Sequence, residues 1–296
     1  VDIVFHRAIF RSIMGFGLFV FVDAILAFFA VQFNKIAVGL FLEAKYVTFY
    51  ALADNVAVYL WFIPLLLYQV ILPAMSHLHA MNDLKRFHEL YARVTRYILI
   101  LLIPIAFLVI LFADIFLRLW IGGAAGVETA AQATLVLRVV ATAVLIGSIV
   151  HPSMAVLYVV GRAGVAVRVK AIQMACNVSL CFLLIPEYGI LGAAIPKLLQ
   201  HCFIEPLIIF FATRSIGVPL GEFYRKSVLQ ALPCAAILFP VVFLRPLVEQ
   251  TGSLLMFLGV MAVIAACYFL VVWRFVLNDE DRYYVRDFLG RSKPKE

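Results

Sequence analysis

The chain has 296 residues, of which 65% are apolar and only 14% charged, whereas a soluble domain carries nearer a quarter charged. That composition, with a mean hydropathy of +1.06, excludes an ordinary water-soluble domain and predicts an all-α, polytopic membrane helix bundle. The net charge of +7 sits in short clusters between apolar runs, which suits loops facing an anionic membrane leaflet and argues against nucleic acid as a partner.

A span needs about 20 mainly apolar residues. In chain order, eight such stretches fall at roughly 14–42, 46–74, 97–120, 130–160, 166–186, 189–212, 228–245 and 253–275. The chain opens with VDIVFHRAIFRSI rather than a methionine, and residues 1–13 read as a cytoplasmic lead-in from an interior point of a longer protein. Internal prolines at Pro64, Pro73, Pro104 and Pro206 predict kinks, because proline removes a backbone donor and crowds the preceding turn. The one substantial polar connection, 76–97, mixes charges and apolar residues at helical spacing and predicts a short helix on the cytoplasmic surface. Residues 276–296 read as a polar cytoplasmic tail.

Positive charge alternates between the connections. One set carries Arg7 and Arg11, then Lys85 to Arg96, then Arg162 to Lys170, then Arg214 to Lys226. The other set carries little beyond Lys45 and Arg245. By the positive-inside rule both ends are expected to be cytoplasmic, and an even number of spans agrees with that. The five cysteines lie in apolar stretches without metal-ligand spacing. There is no GxSxG, P-loop or HExxH pattern. The sequence therefore predicts no enzyme activity, no cofactor, no ATP and no metal; a site at His77, His79 and His88 has no support.

Two stretches carry a resemblance. The first is PLLLYQVILPAMSHLHAMNDLKRFHELYARVTRYILILLIPIAFLVILFADIFLRLWIGG, with Pro73 and Ser76 ending a span, Arg96 opening the next, Pro104 inside it, and Trp120 and Gly122 closing it. The second is GRAGVAVRVKAIQMACNVSLCFLLIPEYGILGAAI, with Asn177, Leu184-Ile185-Pro186, Tyr188-Gly189 and Gly192-Ala193-Ala194. Both resemble the polysaccharide-flippase branch of the multidrug/oligosaccharidyl-lipid/polysaccharide exporter superfamily. The likeness covers most of residues 14–213.

The resemblance implies a six-helix C-terminal lobe over 14–213, two additional helices over 214–275, and a missing N-terminal lobe. It implies flipping of an undecaprenyl-pyrophosphate-linked oligosaccharide across the bacterial inner membrane by alternating access, for O-antigen, exopolysaccharide or capsule synthesis. Membrane lipids, a polysaccharide polymerase and glycosyltransferases are the implied partners. Two readings compete: a multidrug cation exporter of the same superfamily, and a membrane glycan polymerase or ligase, against which the short outer loops weigh. The chain departs from the family pattern twice. Asn34-Lys35 stands where an Asp-Arg-like pair is usual, and Ile195-Pro196-Lys197 follows the small residues.

Ionisable groups inside spans cost roughly 2.5–3.5 kcal/mol on insertion scales and default to functional hypotheses. Arg138 lies about eight residues, ~12 Å, into the fourth span and leads the candidates for contact with a pyrophosphate or sugar, for which arginine and lysine are suited; the competing reading makes it partner to an acid on another helix. Lys197, Lys35 and Asn177 are further substrate candidates, against snorkelling for the lysines and helix packing for the asparagine. Asp23, Asp54 and Glu205 are candidates for ion coupling, or for neutralising those cations. Asp114 and Arg118, at i,i+4, read as an interfacial pair. Gly189, Gly192, Ala193 and Ala194 read as turn and close-packing residues.

Overall fold

The computed structural model describes residues 7–121, 123–250, 253–276 and 282, and among these there is no strand. The helices are α1 (Arg7–Phe41), α2 (Ala44–Leu60), α3 (Phe62–Ala80), α4 (Leu84–Ile121), α5 (Gly123–Gly147), α6 (Val150–Val159), α7 (Ala163–Tyr188), α8 (Leu191–Phe203), α9 (Pro206–Ser215), α10 (Leu220–Lys226), α11 (Val228–Ile237), α12 (Arg245–Glu249) and α13 (Leu254–Phe275), with a 3-10 turn at Phe239–Leu244. Seven segments of the described residues are long and apolar enough to cross a membrane, and they match the second to eighth stretches read from the sequence. The first stretch falls on α1, a 35-residue helix. The protein is a multi-pass membrane bundle.

Proline marks where several spans break. α2 stops at Leu60 and α3 starts at Phe62, because the ring of Pro64 excludes the N–H bond to Leu60 and crowds that carbonyl. Pro152 acts likewise on Ser148 between α5 and α6. Pro206 occupies the first position of α9, where its missing N–H is harmless. The seventh span carries Pro233, Pro240 and Pro246, and it is built from four short pieces, α10 to α12 with the 3-10 turn.

Pro104 behaves differently. α4 runs through it, and the one departure from helical geometry falls later, at Phe112 (φ −108°, ψ 16°). Pro104 deprives the Ile100 carbonyl of its usual donor. The Tyr268 hydroxyl on α13 supplies a replacement at 2.9 Å, which is how a bundle re-satisfies a proline-freed carbonyl in lipid. Tyr268→Phe should therefore destabilise the protein by about 1–3 kcal/mol, the penalty for an orphaned buried acceptor, measured by thermal unfolding in detergent. An unchanged midpoint would show that the carbonyl finds another donor.

The surface helix expected at 76–97 is not a separate element. Its first turns end α3 and the rest opens α4, a 38-residue helix of about 57 Å at 1.5 Å per residue. The three residues between explain it. Asn82 takes the left-handed conformation (φ 56°) that closes a helix. The Asp83 side chain accepts the Arg86 N–H at 3.1 Å, an N-cap for α4. No breaker follows before the apolar run, so the charged turns stay continuous with the span.

Three apolar clusters organise the bundle. One joins α1, α2, the end of α4, α5, α7 and α8. A second joins α3, the start of α4, α6, α7, α9 and α10. The basic connections gather at this second end. The third cluster packs α11, the 3-10 turn, α12 and α13 against α4, with Phe112, Leu238, Phe257 and Tyr268 in its core. The last two spans therefore pack chiefly against α4, with α10 also joining the second cluster beside α9.

Candidate functional site

Asp54 on α2 is fully buried and holds two cations. The Lys197 ammonium on α8 lies 2.5 Å from Oδ1, and the Lys35 ammonium on α1 lies 3.1 Å from Oδ2. Lys35 also donates to Asn55 Oδ1 at 3.2 Å. Lys197 stands over the Tyr50 ring, 5.8 Å from its centroid. Lysine suits this place because its long stem reaches across the helix gap as a point charge. One carboxylate between two ammonium groups leaves the triad with an excess positive charge.

Beneath the triad, Asn34 uses its whole amide. Its Nδ2 donates to the Ala193 carbonyl at 2.8 Å and to the Tyr50 hydroxyl at 3.3 Å, and its Oδ1 accepts from Asn177 Nδ2 at 2.6 Å. The hub ties α1, α2, α7 and α8. An acid at position 34 would lose both donated bonds and face the Ala193 carbonyl, so the amide is what these neighbours require. Gly189 (φ +60°) turns α7 into α8. Gly192 then packs against the α7 backbone at Leu184 and Ile185, with Ala193 and Ala194 fully buried beside it.

A cavity of about 830 Å³ starts beside the triad. Asp54, Lys197 and Asn177 line its inner part, and Ser76, Tyr158 and Lys170 line it toward the end that carries the basic connections. Three of the helix breaks meet its wall. Trp61 sits at the α2–α3 break, with its ring centroid 5.0 Å from that of His151, just past the α5–α6 break, and 5.6 Å from that of His201. Glu205 stands at the α8–α9 break. Its carboxylate lies 2.6 Å from His201 Nδ1 and accepts from Gln173 Nε2 at 3.1 Å. Gly147 makes room for the His201 ring: a Cβ there would fall 2.3 Å from Nδ1. Lys197, His201 and Glu205 are spaced i, i+4, i+8 and share one face of the α8–α9 span. His151, half-buried, and the buried His201 and Gln200, whose Nε2 has no hydrogen-bond partner, line this cavity and were not singled out from sequence.

The structure brings together Lys197, Lys35, Asp54 and Asn177, and places Glu205 two turns from Lys197. The side chain of Asp23 lies outside the described residues, although Val20 and Ala24 on the same helix line the cavity. Arg138 lies elsewhere. It donates to the Ile110 carbonyl at 3.0 Å and to Asp114 Oδ1 at 3.2 Å, across the α4–α5 contact. Asp114 also meets Arg118 at 3.4 Å and Arg245 at 2.8 Å. Of the two readings open for Arg138, the geometry is that of a partner to an acid on another helix, and it is not among the cavity-lining residues.

Comparison with known proteins gives two findings. A family model described as "Polysaccharide biosynthesis protein" matches residues 1–124. A solved structure, "Lipid II flippase MurJ, inward closed conformation", is similar over 89% of this chain with a TM-score of 0.63 and 17% sequence identity. The chain spans about half of that structure, 52% of its length. No curated protein sequence matches. At this identity the structural likeness shows the fold alone, a polytopic helical membrane bundle like that of the solved structure. The family match covers the first of the two stretches on which the sequence resembles polysaccharide flippases, so both findings support that resemblance.

Proposed function

We propose that the chain works as a transporter, not an enzyme, in moving a lipid-linked oligosaccharide of the undecaprenyl-pyrophosphate type across the cytoplasmic membrane by alternating access. The observation that carries this reading is the cation-rich triad beside a cavity in a chain with a flippase fold. A sugar head group cannot cross hydrocarbon without shedding its hydration, and a polar-floored cavity relieves that. Lys197 can exchange Asp54 for a phosphate oxygen while Asp54 keeps Lys35, so neither charge is stranded during loading. Asn177 and Asn34 hold the two helices that carry the lysines. In this reading the end with the basic connections is cytoplasmic. Polysaccharide polymerase and glycosyltransferases would act on the same lipid before and after transfer.

Glu205 is proposed as the ion-coupling acid, with His201 as its proton partner. Tyr68, His151, Tyr158, Lys170, Lys197 and Asp54 are the other charged or titratable groups among the described residues of this wall. A carboxylate and an imidazole in contact, both buried, form a pair in which one proton changes the net charge.

The test is the sidedness of lipid-linked oligosaccharide in spheroplasts of a strain lacking the gene, complemented with variants. Without the gene, complete units accumulate on the inner face. Lys197→Ala should restore export at least tenfold more weakly than wild type at equal expression. Glu205→Gln should export at a rate that no longer responds to collapse of the proton gradient. Unpolymerised units outside the deletion strain would instead indicate a polymerase or ligase, and drug sensitivity without a lipid phenotype a cation exporter.

A further inference from the structure

A second cavity, of about 540 Å³, lies at the basic end, away from the transport cavity. Its walls are the opening turns of α4, the α9–α10 connection around Gly217 and Pro219, and the start of the α10–α11 span. This is the joint between the six-helix body and the last two spans. Lys85, Glu89, Arg93 and Arg96 recur at i, i+4, i+8 and i+11 and lie along one face of α4. From the other wall come Glu222 and Lys226, which pair with each other at 2.6 Å. Four cations face two carboxylates, and the pair from α10 is self-neutralised, so the excess positive charge belongs to α4.

The floor is built rather than incidental. Tyr91 and Phe223, both buried, stack with ring centroids 4.6 Å apart, and the Tyr91 hydroxyl is 2.6 Å from Ser153 Oγ. Arg96 donates to Gln230 on α11 at 2.5 Å, which sets its position across the joint. His88 Nε2 is buried on this cavity without a hydrogen-bond partner.

Position names the ligand class. Arg96 is the last charge before the apolar run Tyr97–Ala113, about 25 Å of helix, so the pocket sits where α4 enters hydrocarbon. Beside Gln230 on α11, Leu229 and Leu232 are more than half exposed. Cations at head-group depth beside exposed leucines match an anionic phospholipid, with its phosphate in the pocket and its chains along α11. We propose that this pocket binds the phosphate head group of an anionic phospholipid and thereby fastens the last two spans to α4. This does not depend on the transport reading.

The test follows thermal unfolding of the purified full-length protein in detergent during titration with phosphatidylglycerol, phosphatidylcholine or inorganic phosphate. Phosphatidylglycerol should raise the midpoint saturably, and phosphatidylcholine should not. Lys85→Gln with Arg93→Gln should weaken the apparent affinity at least tenfold. Lys45→Gln with Arg162→Gln, which removes the same charge from exposed residues outside the pocket, should leave it unchanged. Lys85→Glu changes one exposed side chain and should weaken binding without threatening the fold. Equal responses of the pocket and control variants would overturn the proposal. An equal response to inorganic phosphate would overturn the lipid assignment and give the pocket to soluble phosphates.

Discussion

Asp54→Ala should destabilise the protein by about 3–5 kcal/mol, the usual result of removing one partner from a buried ion pair. Two ammonium groups, each about four-fifths buried, would be left facing one another. Lys35→Met and Lys197→Met should each do less harm, because Asp54 keeps the other lysine. The three sites share one network, so their effects should not add. The sharpest outcome is the triple variant Asp54→Leu, Lys35→Met, Lys197→Met. Apolar replacement of a whole buried ionic cluster is often neutral or stabilising, so this variant should regain most of the stability lost by Asp54→Ala. It should not regain export, because neither lysine of the triad remains to meet a phosphate. The measurement is unfolding in detergent beside the spheroplast assay. Recovery of export by the triple variant would remove the triad from the proposed transport path, while failure to recover stability would mean that the cluster holds the fold by more than its own pairing.

Gly192→Ala is the second large effect. A Cβ at this position would lie 2.2 Å from the Leu184 carbonyl oxygen and 2.5 Å from the Ile185 nitrogen. Both are backbone atoms within α7, so no rotamer change relieves the clash and the two helices must separate. Overpacking typically costs about 1–3 kcal/mol, and the upper end is expected here. Separation would also stretch the bond from Asn34 to the Ala193 carbonyl, one residue on. The control is Gly259→Ala on the exposed face of α13, where an added Cβ meets nothing within 4 Å. That change should be neutral or slightly stabilising, within about 1 kcal/mol, since alanine is the better helix former. Equal midpoints for the two variants would show that the α7–α8 contact yields without strain.

Local pattern made several features legible. The runs of apolar residues placed the spans, because hydrocarbon thickness sets the length a helix must have. Tyr188-Gly189 and Gly192-Ala193-Ala194 announced the tight α7–α8 turn, because backbone conformation and close approach are demands that single residues meet. The surface helix was misplaced for a local reason that the sequence also contained: Asn82 and Asp83 close one helix and cap the next, which merges the charged segment into α4.

The functional site was legible residue by residue but not as an arrangement. Lys35, Asp54, Asn177 and Lys197 stood out because a charge or amide in hydrocarbon needs a reason. Their partners did not, since 19 residues separate Lys35 from Asp54 and 143 separate Asp54 from Lys197. The two departures from the family pattern, at Asn34-Lys35 and at Pro196-Lys197, read as unrelated losses in the sequence. In the fold they meet at Asp54 and Asn34, where one supplies the amide hub and the other the second cation. Arg138 shows the converse. Its depth in a span left cavity contact and an acid partner both open, because depth along a helix does not say which face a residue takes.

The sequence by itself determined the membrane class, the apolar stretches of the spans and the resemblance to polysaccharide flippases, because these follow from local hydrophobicity and short motifs. Tertiary structure alone decided that Asp54 is shared by two lysines, that Arg138 turns to Asp114, and that His151, His201 and Glu205 gather at the helix breaks. The physical reason is that electrostatic pairing in a bundle depends on helix rotation and crossing, and these are set by the packing of all the neighbours together.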